Sequence, residues 1–187
     1  MLFFKIHFIN MNTILRNQIA QLNKETRQHS ERVAKLCHNA AEQIGLDPDL
    51  AYRIGYLHDI GKLYIPSRIM KKSHTLTVLE REIVDFHSYY GYSILREAGE
   101  KRELYIPILY HHGKRTGQMG NQEESPRPIE LDYASLLHTM DVYDAMSHKR
   151  VYHKPFKPEE IFNALKSDDF SNRQAEEFLI SYIGINF

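Results

Sequence analysis

Eight residues with metal-binding side chains sit on or beside the apolar stripes of this 187-residue sequence: Glu25, His29, His58, Asp59, His87, His111, His112 and Asp141. His29 shares a helical face with Val33, Leu36 and Ala40, and Glu25 precedes it by one turn on the same side, so both can point at one spot. His58 continues the stripe of Leu50 and Ile54 and is followed by Asp59, while Asp141 lies on the face of Ala134, Leu137 and Ala145. His87 follows Phe86 and has Gly91 one turn on. His111 and His112 close an apolar run and open the segment HHGKRTGQMG. A lone histidine of this kind reads as a core imidazole bonded to a backbone carbonyl, and a histidine pair at a helix end as residues meeting water. Five histidines with three carboxylates change that balance, because unpaired buried carboxylates cost several kcal/mol and need compensation. Imidazole and carboxylate without thiolate suit iron or manganese better than a structural zinc site. Asp59 can bridge two such ions, and a two-metal centre can activate a bridging hydroxide and clamp the oxygens of an in-line phosphoryl displacement. The chemistry indicated is phosphoester hydrolysis with two divalent ions.

Helices must position these groups, since the 3.6-residue period recurs along most of the chain and no comparable stretch alternates as a strand. The pattern predicts helices near 12–22, 25–44, 48–60, 76–98, 101–112, 129–148, 157–167 and 171–183, with Gly45, Gly61, Gly99 and Gly113 as breakers. Leu79, Ile83, Phe86, Tyr90 and Ile94 trace one face of the fourth. This is an all-α domain, with a polar loop expected from Gly113 to Pro128 and no repeats. The length is enough for a core without disulfides or a structural metal.

Twenty-four basic residues balance 24 acidic ones, so no global field exists for gripping long nucleic acid or an anionic membrane, and a small substrate fits better. The only cysteine, Cys37, lies in an apolar helical pattern, which excludes a disulfide framework and a thiolate cluster and implies a reducing, cytoplasmic setting. The opening MLFFKIHFIN is too short and too interrupted for a membrane span or signal peptide. Residues 1–22 read as an N-terminal arm and first helix. His7, His38, His74, His138, His148 and His153 lack the convergence of the eight, although His138, one turn before Asp141, can also serve as a partner behind the ligands.

The segment YLHDIGKLYIP resembles the HD phosphohydrolase superfamily, and the chain from Glu25 to Tyr152 is similar to its HD-GYP branch, whose members hydrolyse cyclic di-GMP. Residues 23–187 then form a helical bundle around a multinuclear metal site. On this resemblance HSERVA supplies His29, HDIGKLYIP supplies His58, Asp59 and Lys62, and FHSYYGYSIL supplies His87. The pair HH supplies His111 and His112, and DVYDAMSHKRVY supplies Asp141, Asp144, Arg150 and Tyr152. Glu25 occupies the place of a glutamate that in some members holds a third ion. The loop after the double histidine departs from the family's HHExxDGxGYP: Gly113 stands for its glutamate, Thr116 for its aspartate, and the Gly-Tyr-Pro is missing.

The resemblance implies that Asp59 and Lys62 act in catalysis, with Lys62 neutralising phosphate charge or protonating the departing ribose oxygen. By itself Lys62 reads equally well as a solvated lysine. Arg150 can grip a phosphate or guanine edge, Tyr152 can stack on a base or pack, and Lys114 and Arg115 place positive charge near an anionic substrate. Two rivals stay open. One is a nucleotide phosphohydrolase, opposed by His87, His111 and His112; the other is a non-catalytic module that binds a nucleotide or a signalling protein, supported by the altered loop.

Overall fold

The computed structural model describes residues 12–113, 125–148 and 154–184, and every regular element among them is helical. The order is α1 (Thr13–Gln21), α2 (Lys24–Ile44), α3 (Pro48–Leu57), a 3-10 segment (Ile60–Tyr64), α4 (Ser67–Met70), α5 (Val78–Asp85), α6 (His87–Glu97), α7 (Arg102–Tyr110), α8 (Pro128–Ser147), α9 (Pro158–Lys166) and α10 (Arg173–Ile183). None of these helices is long and apolar enough to cross a membrane. The arm at residues 1–11 and the middle of the 113–128 loop lie outside the described residues.

Local chemistry sets the boundaries of the two helices that frame the site. Asn23 caps α2 by accepting from the Thr26 N–H, and Gly45 ends it in the left-handed region. Asp47 caps α3 through the N–H groups of Asp49 and Leu50, with Pro48 in its first turn. The two helices cross with backbones almost touching, since a Cβ on Gly55 would stand 2.8 Å from the Ala34 Cα. Leu15, Val33, Ile54, Leu57, Leu95, Leu104, Ile108, Leu137 and Phe162 meet in one cluster, each worth about 1.5–3 kcal/mol when fully buried.

Two expected helices are divided. The stretch 48–60 stops at Leu57, Asp59 adopts φ −94° and ψ 4°, and a 3-10 segment runs to Tyr64, where Pro66 holds Ile65 extended. Gly61 is therefore no left-handed breaker. Its role is close approach, because a Cβ there would lie 2.0 Å from the His87 carbonyl oxygen on α6. The stretch 76–98 breaks at Phe86, so its apolar stripe does not run on: Ile94 reaches the core, Leu79 is 66% exposed and α5 buries no residue. The four-residue α4 was not foreseen.

Glu130, buried on α8, accepts from Nε and Nη2 of Arg102 on α7 at 2.9 and 3.2 Å and from the Arg127 N–H at 2.7 Å. This clamp fixes the helix leading to His111 against the one carrying Asp141. Cys37 is buried, and that burial pushes its thiol up, away from reactive thiolate.

Candidate metal centre

Three of the predicted ligands stand where one helix ends. His58 caps α3, His87 follows the break after α5, and His111 caps α7. Their Nδ1 atoms lie 2.7 Å from the carbonyl oxygens of Gly55, Val84 and Ile108 respectively, each three residues back. A carbonyl only accepts, so each Nδ1 carries the proton and satisfies a carbonyl left over at a helix end. One local device thus fixes the ring orientation and aims three Nε2 atoms inward.

The inward atoms form two triads, within each of which the ligand atoms lie no more than 4.8 Å apart: His29, His58 and Asp141, and His87, His111 and His112. Asp59 stands between them. Its Oδ1 is 3.5 Å from both His58 Nε2 and His87 Nε2, and its Oδ2 is 3.8 Å from His29 Nε2 and 2.7 Å from Lys62 Nζ. Buried His58 Nε2 and Asp59 Oδ1 have no hydrogen-bond partner. Such orphans are costly in a closed core and are the donor atoms that a divalent cation would engage. The residues therefore fit a metal centre of imidazole and carboxylate ligands.

Electrostatics separates the triads. Burial opposes charge on His29, but hydrogen bonds to Asp141 (2.9 Å) and Asp144 (2.7 Å) and the nearby Asp59 outweigh it and raise its pKa to about 9. Burial lowers His87 to about 3 and His112 to about 4, and holds His111 well below the usual imidazole range, with neighbouring imidazoles adding to the effect. Burial works against the charge of Asp59 and Asp141, yet His58 and Lys62 around the first and His29 beside the second hold both carboxyls below the ordinary range.

Glu25 is exposed, one turn from His29, and belongs to neither triad. Lys62 reaches the centre through Asp59. Lys114, Arg115, Arg150 and Tyr152 lie outside the described residues. Behind the candidate ligands stands a layer that pattern reading missed in part. Arg32 grips Asp144 with Nε–Oδ1 at 2.7 Å and Nη2–Oδ2 at 2.8 Å, while the same carboxylate holds His29 Nδ1. The available signal was its place, three residues after His29 on α2. Two histidines set apart by the sequence touch this layer: His148 lies 3.2 Å from Asp144, and His138 binds the His111 carbonyl at 2.8 Å and Asp168 at 2.7 Å.

The family model for the HD domain matches residues 26–146. A cyclic di-GMP phosphodiesterase of Thermotoga maritima is 34% identical over 148 residues, which cover 76% of this chain and 40% of that protein. The 3'3'-cGAMP-specific phosphodiesterase 2 of Vibrio cholerae is 30% identical over 155 residues, covering 79% of this chain and 29% of that protein. The chain thus spans well under half the length of either relative. Among solved structures, the HD domain of the L. monocytogenes phosphodiesterase PgpH superposes with a TM-score of 0.68 at 20% identity, over 92% of this chain and 98% of that one. A helical bundle whose His58-Asp59 pair lies between two histidine-rich triads, matched over residues 26–146, identifies the chain as a member of the HD domain family.

Proposed function

We propose that this chain is a metal-dependent phosphodiesterase that hydrolyses cyclic di-GMP or a related cyclic dinucleotide in a cytoplasmic setting. The observation that carries the reading is Asp59, buried between two triads with Oδ1 unpartnered. The cyclic dinucleotide phosphodiesterases among its relatives supply the substrate class.

His29, His58 and Asp141 would hold one ion, His87, His111 and His112 a second, and Asp59 both. Iron or manganese suits this donor set. Glu25, one turn before His29, would serve a third ion entering from the solvent side. When bound, such ions supply an activated water and neutralise charge on the phosphate.

The remaining work falls to the protein. Lys62 orients Asp59 through its 2.7 Å contact and can donate a proton to the departing ribose oxygen or a hydrogen bond to the phosphate. Asp144 and Arg32 hold His29 in place for its ligand role. Arg150, Tyr152, Lys114 and Arg115 are assigned to substrate recognition, and the altered HHGKRTGQMGN loop weakens base discrimination relative to relatives with the full HD-GYP loop.

The test uses protein purified without oxygen and loaded with iron or manganese, assayed against cyclic di-GMP, cyclic GMP-AMP, a linear dinucleotide and simple nucleotides. Cleavage of a cyclic dinucleotide is expected. No turnover of any of them with the centre full would leave a binding module for a nucleotide or a signalling protein.

A further inference from the structure

Beside the metal centre, the α1–α2 junction, the 3-10 segment and α4 enclose a groove of ≈ 520 Å³, a volume suited to a nucleotide-sized ligand. Its wall includes Lys24, Lys62, Lys71 and Lys72 against one carboxylate, Glu25, in a chain whose formal charge is zero. Lys62 is committed to Asp59 and Lys72 to Glu80. Lys24 and Lys71 are exposed and form no ion pair among the described residues. The groove joins the centre at two points: Lys62 lines it while touching Asp59, and Glu25 lines it one helical turn, about 5.4 Å, from His29.

A cyclic dinucleotide has two phosphodiesters, and only one can sit at the metals at a time. Resting on the function proposed above, we propose that this groove binds the phosphate not under attack. Lys24 and Lys71 hold the second diester of the cyclic substrate. Hydrolysis adds water across one P–O3′ bond, the ribose oxygen takes the proton, and phosphorus keeps the new oxygen as part of a 5′-monoester. That monoester forms at the centre, while the second diester stays between Lys24 and Lys71 unchanged, so the groove holds the linear product as it holds the cyclic substrate. Glu25 alone would repel a phosphate. An ion on Glu25 would reverse that sign on the inner wall of the groove.

The test compares wild type with the Lys24→Ala/Lys71→Ala double variant, both metal-loaded, on a cyclic dinucleotide and on bis(4-nitrophenyl) phosphate, a diester with no second phosphate. The variant should show a KM for the cyclic dinucleotide raised roughly tenfold at low salt and less at high salt. Its KM for the one-phosphate diester should move less than twofold, and its metal content should match wild type. Equal change for both substrates, or for neither, overturns the groove assignment. Wild type that cleaves the one-phosphate diester but no cyclic dinucleotide refutes the functional reading instead. Calorimetric titration with a 5′-phosphorylated linear dinucleotide then decides the groove: roughly tenfold weaker binding by the variant supports it, and equal affinity or no binding by either protein refutes it.

Discussion

His87 and His111 bring their Nε2 atoms to 3.3 Å from each other while both Nδ1 atoms donate to backbone carbonyls. With each ring neutral at pH 7, two lone pairs face across that gap in a buried site. A cation between them turns repulsion into two bonds, so metal should stabilise the folded chain by linkage. Adding manganese to chelator-treated protein should raise its Tm by several degrees, and His111→Ala should lose much of that rise together with one ion. An equal rise in the variant would place the ion elsewhere.

Asp144 holds Nδ1 of His29, and through that ring would act on an ion at the first triad. Asp144→Asn keeps the shape but removes the charge that Arg32 and His29 share, and should weaken metal affinity roughly 10–100-fold. Excess metal should restore activity. Competition titration against a chromophoric chelator measures the change, and an unchanged affinity would make Asp144 a packing residue.

The metal-free protein should be most stable near pH 6.5. The folded pKa of His29, about 9, lies above its unfolded value, so its contribution is present below about pH 6.5 and is lost as pH rises through 9. That loss is roughly 2–3 kcal/mol. The folded values of His87 and His112, about 3 and 4, lie below the unfolded value, so stability also falls as pH drops from 6.5 through 4. Urea denaturation with chelator at pH 5, 6.5 and 9 reads both limbs, and stability that rises from 6.5 to 9 would contradict the His29 assignment. An ion held by His29 would displace its proton, so metal affinity should strengthen over the same interval.

Lys62 separates catalysis from assembly. Lys62→Ala removes one partner of Asp59 but none of the triad atoms, so metal content should stay near wild type while turnover falls roughly 10²-fold. Anaerobic metal analysis alongside kcat resolves the two, and unchanged turnover would return Lys62 to a charge-balancing role.

Much of this architecture was legible in the residues. Asn23, Gly45 and Asp47-Pro48 mark helix ends by local hydrogen bonding, and His29, His58 and Asp141 announce themselves as polar groups on apolar stripes. The break at Phe86 was not legible, because the spacing from Leu79 to Ile94 runs through it without interruption. Its cause is tertiary, the 3-10 segment pressed on α6 at Gly61, and the local bond from the His87 ring to the Val84 carbonyl forms at the break. Arg32 likewise looks like a solvated arginine until folding delivers Asp144 from 112 residues away.

The most direct measurement is a titration of anaerobically prepared, metal-free protein with iron or manganese, reading bound ions per chain and cyclic di-GMP hydrolysis in the same samples, for wild type and Asp59→Ala. Two triads sharing Asp59 predict at least two ions per wild-type chain, hydrolysis that appears as the second is bound, and joint loss of metal and activity in the variant. A wild-type chain that binds one ion or none, or an Asp59→Ala protein that keeps both its metal and its turnover, would contradict a shared two-metal centre.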